Sequence, residues 1–436
     1  MWLKSTFQSF LKILTDNGKN RVLTNFYSLS LLQIANVVLP LVTIPFVIRS
    51  IGIERFGILG MALALAGYFE IITDYGFDLS ATKKISIHRS SKNELSKIFS
   101  SVMMLKTGFT ISCFLIYLSL IYIVPMFSSF PVIFLITYGR VIGKTLFPVW
   151  FYQGMEQMKF ITRFSVISKI IFSGLTLVLV KKPEDFILVP IFNAAAVLVP
   201  GLFAQFHVAR TFDVRFLAQH TNELKIHLQE GFHIFLSRVY VNLYSSFNIL
   251  ILGLLSGYAA VGMYSVAAKV IEAISMIFIP ANNALFPYLS RLWKEGSDGF
   301  YGFVRNLRNL FLITGSLMAV PVFLLAGPIT TLVNGKSEQV IITTLRILVL
   351  KLPFIALGPL YTSILINQNR NEDYLWVVKN TLIYSIILTT AGIYLFGITG
   401  LAWSVVGVSI IHQLLFNQKK ALITLPAGIT PIPERI

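Results

Sequence analysis

Twelve stretches of about 20 mostly apolar residues follow one another along this chain, each long enough to cross the hydrocarbon core of a bilayer as a helix. A backbone placed in lipid must satisfy its own N–H and C=O groups, so such stretches are predicted to be helices. They run over 24–48, 57–79, 100–124, 131–153, 160–180 and 185–207, then 232–255, 259–285, 308–333, 339–366, 374–396 and 400–417. Composition agrees with this reading. Of 436 residues 55% are hydrophobic and 13% charged, and the mean hydropathy is +0.75, whereas soluble domains carry about 25% charged residues. The expected fold class is an all-α integral membrane protein of about 12 transmembrane helices.

A net charge of +17 invites a nucleic-acid reading. Its distribution argues against one, because the basic residues fall in short clusters between apolar stretches and not along one polar face. With the N-terminus placed inside, 22 of the 36 Lys and Arg residues fall on the cytoplasmic side, five on the other and nine within spans. The positive-inside bias therefore predicts cytoplasmic N- and C-termini and a cytoplasmic loop from Lys83 to Lys97. Residues 1–23 are expected to form an amphipathic segment on the cytoplasmic surface, since Trp2, Leu3, Phe7, Phe10 and Leu14 alternate at helical spacing with Lys4, Lys12 and Lys19. The two halves echo each other. Gly52 to Gly57 follows the first span and Gly257 to Gly262 the seventh, as tight turns opening the next helix, which suits parallel repeats. The expected organisation is a first six-helix bundle over 24–215, a cytoplasmic connection over 216–231, a second six-helix bundle over 232–418 and a tail over 419–436.

Covalent chemistry is not written into the sequence. Cys113 is the single cysteine, the six histidines have no metal-ligand spacing, and HExxH and GxSxG are absent. Gly139, Gly143, Lys144 and Thr145 imitate a phosphate loop, but with one residue too few between the glycines and in a membrane helix instead of a strand-loop-helix unit. Glycines four apart let helices approach closely, so Gly139/Gly143 and Gly253/Gly257 are expected to serve packing. No cofactor and no metal are expected.

Charges inside spans are costly in lipid and are usually kept for a pathway or a partner. Lys106, Arg238 and Lys379 lie near the cytoplasmic ends, where they can snorkel to headgroups. Arg140, Lys144, Lys169, Lys269, Arg346 and Lys351 lie deeper and outnumber the buried acids, so a solvated cationic cavity is predicted, with Lys269 and Glu272 also able to neutralise each other within one helix. Arg140 and Lys144 share a helix face, whereas Arg346 and Lys351, five apart, do not. Glu70, Asp74 and Asp78 recur every four residues, which would set three carboxylates on one face and favour holding a proton or cation; pairing of Asp74 and Asp78 with nearby bases is the alternative. Glu70, Asp74 and Glu272 are the ion-coupling candidates. Pro40, Pro45, Pro125, Pro148, Pro190, Pro280, Pro321 and Pro353 can each bend a helix that lines a cavity.

These residues resemble a family. Asn36, Pro40, Pro45, Arg49, Gly52, Glu54 and Gly57, then the stretch from Asp74 to Lys83, are similar to the opening of the Wzx-type O-antigen flippases, of the multidrug, oligosaccharidyl-lipid and polysaccharide exporter superfamily. The stretches 148–156, 262–269, 286–290 and 367–370 continue the likeness over nearly the whole chain, and Asp78 stands where that motif usually has Asn. The resemblance implies two six-helix bundles around a central cavity in the bacterial inner membrane. It implies alternating access that moves an undecaprenyl-diphosphate-linked oligosaccharide repeat unit from the cytoplasmic to the periplasmic leaflet, coupled to proton or sodium. Membrane lipids are partners in that scheme, with a polysaccharide polymerase and a chain-length regulator as candidate protein partners. The diphosphate would meet the cations Arg140, Lys144, Lys269, Arg346 and Lys351. Two alternatives remain. A cation-coupled multidrug exporter of the same superfamily calls for an acid-dominated cavity, and a membrane-embedded polymerase calls for a large periplasmic loop that the predicted topology lacks.

Overall fold

In lipid the helix is the only open-ended element that leaves no backbone group unsatisfied, and the computed structural model is accordingly helical, with no strand among the described residues, 19–295 and 297–421. The surface segment expected at the extreme N-terminus and all but the start of the 419–436 tail lie outside the described residues. The first unit begins with α1 (Lys19–Ile51), α2 (Ile53–Asp74), α3 (Phe77–Ile87), α4 (Lys92–Ile123), the single turn α5 (Pro125–Ser128), α6 (Pro131–Leu146), the short α7 (Val149–Gly154), α8 (Met158–Leu179) and α9 (Leu188–Thr211). There follow α10 (Thr221–Ser275), α11 (Phe278–Glu295), α12 (Ser297–Leu324), α13 (Ala326–Asn334), α14 (Gln339–Leu348), α15 (Leu352–Ile355), α16 (Leu357–Asn367) and α17 (Asn371–Ala421).

Ten helices among the described residues are long and apolar enough to cross a membrane. Two of them, Ile234–Ser275 and Asn371–Lys419, are 42 and 49 residues long, twice a membrane crossing. Each carries one non-helical residue, Gly257 at φ 82° and Gly397 at φ 58°, so each overlaps two of the predicted stretches. Gly257 therefore turns the chain, and a Cβ there would meet nothing within 4 Å, so it is not the close-packing glycine expected from its spacing. Its counterpart Gly52 has nearly the same backbone, φ 84° and ψ 162° against 82° and 175°. The predicted repeat thus appears as the same glycine turn at the same place in each half.

The chain divides into two compact units, residues 1–242 with 333–335, and residues 243–332 with 336–436. Unit one has an aromatic core on which α3, α4 and α7 converge, with Phe77, Phe99, Trp150, Phe151 and Tyr152 buried. Unit two packs Phe300, Phe311, Leu360, Tyr361 and Val377 in its own core. Outward-facing apolar side chains abound, with Leu115 61%, Ile123 74% and Phe396 71% exposed. Water could not tolerate such a surface, whereas acyl chains match it.

Prolines inside the long helices do not break them. The helix α1 is continuous through Pro40 and Pro45, and α12 through Pro321. The predicted second span instead breaks at Tyr75 and Gly76, both left-handed at φ 44° and 76°. A proline leaves only one carbonyl to be satisfied elsewhere, and in a long apolar helix the remaining ladder holds the axis. Pro125, Pro148 and Pro353 instead stand at the starts of α5, α7 and α15, where the missing N–H costs no helical bond.

Candidate functional site

The polar interior of unit one is built on α2, α4, α6 and α8. Close packing comes first: a Cβ on Gly143 of α6 would lie 2.6 Å from the Leu198 amide of α9, and one on Gly201 would lie 2.8 Å from the Gly143 carbonyl. The Gly139/Gly143 spacing therefore serves packing, as expected, and sits in a helix where no phosphate loop can form. Buried hydroxyls fix α6 against α4. Tyr117 donates to the Phe134 carbonyl at 3.0 Å, Tyr138 to the Thr110 carbonyl at 2.6 Å, and Thr110 and Thr145 share a 2.7 Å hydrogen bond.

On that frame Arg140 and Lys144, one turn apart, both reach Glu70 of α2. Arg140 Nε donates to Oε1 at 3.1 Å and Lys144 Nζ lies 3.0 Å from Oε2. The carboxylate is sunk, its side chain 9% exposed, whereas Arg140 and Lys144 are 28% and 44% exposed. Lys169 of α8 lies within electrostatic reach of both cations and donates to the Asn36 side chain of α1. Two cations therefore share one carboxylate, with a third cation within electrostatic reach of both.

The row of three predicted carboxylates is interrupted, with Glu70 and Asp74 one turn apart on α2 and Asp78 beyond its end. The break at Tyr75–Gly76 falls between Asp74 and Asp78, so the four-residue spacing does not hold across it, and each acid takes its own base. Asp74 pairs with Lys106 Nζ at 2.6 Å and Asp78 with Arg238 at 2.5 Å. Lys106, expected to reach the headgroups, is instead an interior partner only 2% exposed, whereas Arg238 pairs with Asp78 from a side chain 36% exposed. A carboxylate left unpaired in that setting would cost more than bending a lysine inward. The signal that could have found them was the pair of otherwise unpartnered acids on α2 and α3.

The remaining candidates lie in unit two. Lys269 and Glu272 pair one turn apart at 2.7 Å with both side chains about half exposed, the self-neutralised alternative raised by their spacing. Arg346 is exposed and lies over the Phe323 ring at 5.5 Å. Lys351 sits half-buried in a 3-10 turn, Val349–Lys351, within electrostatic reach of Glu272. Among the described residues no three His, Cys, Asp or Glu side chains converge as a metal site would need.

Comparison with known proteins adds three findings. The family model described as "Polysaccharide biosynthesis protein" matches residues 22–293. A curated "Putative O-antigen transporter" of Escherichia coli (strain K12) is 27% identical over 365 residues, 82% of this chain and 87% of the relative, and one of Shigella dysenteriae is 26% identical over 72% and 78%. A solved multidrug resistance MATE family transporter of the MOP superfamily, in its inward-facing conformation, superposes with a TM-score of 0.70 at 15% identity, covering 92% of this chain and 98% of that one.

Proposed function

The chain belongs to the polysaccharide biosynthesis protein family, and from that premise we propose that it is a flippase of the inner membrane, carrying undecaprenyl-diphosphate-linked O-antigen repeat units from the cytoplasmic to the periplasmic leaflet. The observation that carries the reading is that Arg140 and Lys144 share the single carboxylate of Glu70 with Lys169 within electrostatic reach of both, while Asp74, the next acid along α2, is taken by Lys106. An uncompensated positive charge within membrane spans is tolerated when water or an anion meets it. A lipid-linked diphosphate is such an anion, and Arg140 and Lys144 suit its oxygens. Neither a covalent step nor a cofactor is needed.

The fold of a multidrug transporter supports alternating access as the way in which the carrier works, with an ion gradient biasing one conformation. Glu70 and Asp74 are the favoured coupling carboxylates for a proton or sodium, because Glu272 is already held by the adjacent Lys269. A cationic drug is the poorer cargo, since Arg140, Lys144 and Lys169 would repel it. Lys269, Arg346 and Lys351 are the candidate anion-binding cations of unit two.

Deletion followed by analysis of lipid-linked repeat units tests the reading. Units accumulating on the cytoplasmic leaflet are the expected result. Unpolymerised units accumulating in the periplasm would instead mark a polymerase and overturn it. In complementation, Arg140→Ala and Lys144→Ala are expected to lower surface polysaccharide while leaving membrane insertion intact.

A further inference from the structure

Glu70 holds its two cations in an uneven way. It engages Arg140 through Nε, and no hydrogen bond among the described residues uses the terminal guanidinium nitrogens, the paired edge that grips phosphate oxygens bidentately. Lys144 offers the rest of its ammonium from a side chain 44% exposed, above a carboxylate that is 9% exposed. Lys169 is tied to a neutral amide, so its charge is not cancelled by its partner. The charged groups on Glu70 are therefore Arg140 and Lys144 from α6; Lys169 of α8, bonded to the neutral Asn36 of α1, lies within electrostatic reach of those two cations, and Asp74 with its partner Lys106 lies one turn along α2.

We propose that Glu70 is a built-in counter-anion at a diphosphate-binding site formed by Arg140, Lys144 and Lys169, so that an incoming diphosphate and the Glu70 carboxylate compete for the same two cations. The inference rests on the flippase reading and adds the sign of the coupling. A single carboxylate on two cations keeps the empty carrier from holding bare charge in the membrane. A diphosphate brings more negative charge to the same place, and the carboxylate a few ångströms away then repels it in a medium far less screening than water. A cation that neutralises Glu70, whether a proton or sodium, removes that repulsion and frees Arg140 and Lys144. By linkage the diphosphate then strengthens binding of that cation equally, so the two are taken up together in this conformation.

The test is the affinity of the purified full-length protein in nanodiscs for geranyl diphosphate, with inorganic pyrophosphate as a second probe, by calorimetry. Glu70→Gln keeps the shape and an oxygen for Arg140 but removes the charge, and it is expected to bind about tenfold tighter than wild type. Glu70→Asp keeps the charge but withdraws it by one methylene, and its affinity is expected to fall between the two. Arg140→Gln and Lys144→Gln are expected to lose at least tenfold. Glu70→Gln and Glu70→Asp binding no tighter than wild type, while the cation variants weaken it, would overturn the counter-anion role alone. Unchanged affinity in both cation variants would remove the diphosphate site and the flippase assignment of these residues with it. Preference for geranyl diphosphate over pyrophosphate assigns the site to a lipid headgroup, and the opposite preference would overturn that assignment in favour of a free diphosphate.

Discussion

Lys106 and His227 show two ways in which a buried base is accommodated. Lys106 is charged and paired, its ammonium 2.6 Å from Asp74, and its removal would strand that carboxylate. Lys106→Met is expected to cost about 3–5 kcal/mol, and adding Asp74→Asn is expected to recover most of it, because the loss is an uncompensated charge and not packing. Thermal unfolding in detergent, arranged as a double-mutant cycle, checks this; equal and additive losses would deny the coupling. His227, in the stretch of α10 before the membrane span, is 3% exposed and its Nδ1 has no hydrogen-bond partner. Burial, helped by the Lys84 ammonium and opposed weakly by Glu230 and Glu223, holds it down at about 4 from the usual 6.5. The unfolded chain therefore binds a proton between those values that the folded chain refuses. Stability present above pH 6.5 falls as pH drops toward 4, by about 3 kcal/mol in all. His227→Gln is expected to flatten that slope, and an unchanged slope would place the acid sensitivity elsewhere.

At the scale of the element, the break between α2 and α3 ties several features together. Gly76 has no Cβ to collide with Ile234, which would stand 2.8 Å away, and a Cβ on Gly231 would stand as close to the Tyr75 carbonyl. Tyr75 stacks on Phe235 at 4.7 Å, Lys84 pairs with Glu230 at 2.7 Å and Arg238 with Asp78 at 2.5 Å. The start of α10 is therefore seated along the broken helix, next to the acids of the site. Gly76→Ala places an L side chain in the left-handed region, which costs roughly 1–2 kcal/mol, and adds the clash with Ile234. Faster tryptic cleavage after Arg215, in the loop that leads into α10, is expected for Gly76→Ala. Gly67→Ala, whose new Cβ meets nothing within 4 Å, should cleave like wild type. Equal rates in both variants would mean that the seat does not depend on the glycine. A reader of the sequence alone sees Asp74, Tyr75 and Gly76 inside an apolar run and extends the helix, because only the approach of a distant segment makes the break favourable.

For the whole molecule, the positive-inside bias makes a topology that reporter fusions can test. Fusions after Lys92 and after Gly335 are expected to report opposite sides of the membrane, and the same side for both would sink the proposed orientation. The sequence by itself determined that this is a membrane-spanning helical protein, since apolar stretch length and the need to satisfy the backbone in lipid leave no other fold class open. It also marked Gly52 and Gly257 as matching turns and placed Arg140 and Lys144 on one helix face, because both are matters of short spacing along the chain. Tertiary structure decided the rest. Helix periodicity says which residues share a face but not which face of another helix meets it. So the pairing of Glu70 with α6, of Asp74 with Lys106 and of Asp78 with Arg238 emerged only when helices far apart in sequence packed together. The same packing drew Asp78 out of the row that spacing had predicted and left Glu70 and Asp74 one turn apart on α2, because a buried acid lowers its energy far more by meeting a base than by keeping to the register of its own helix.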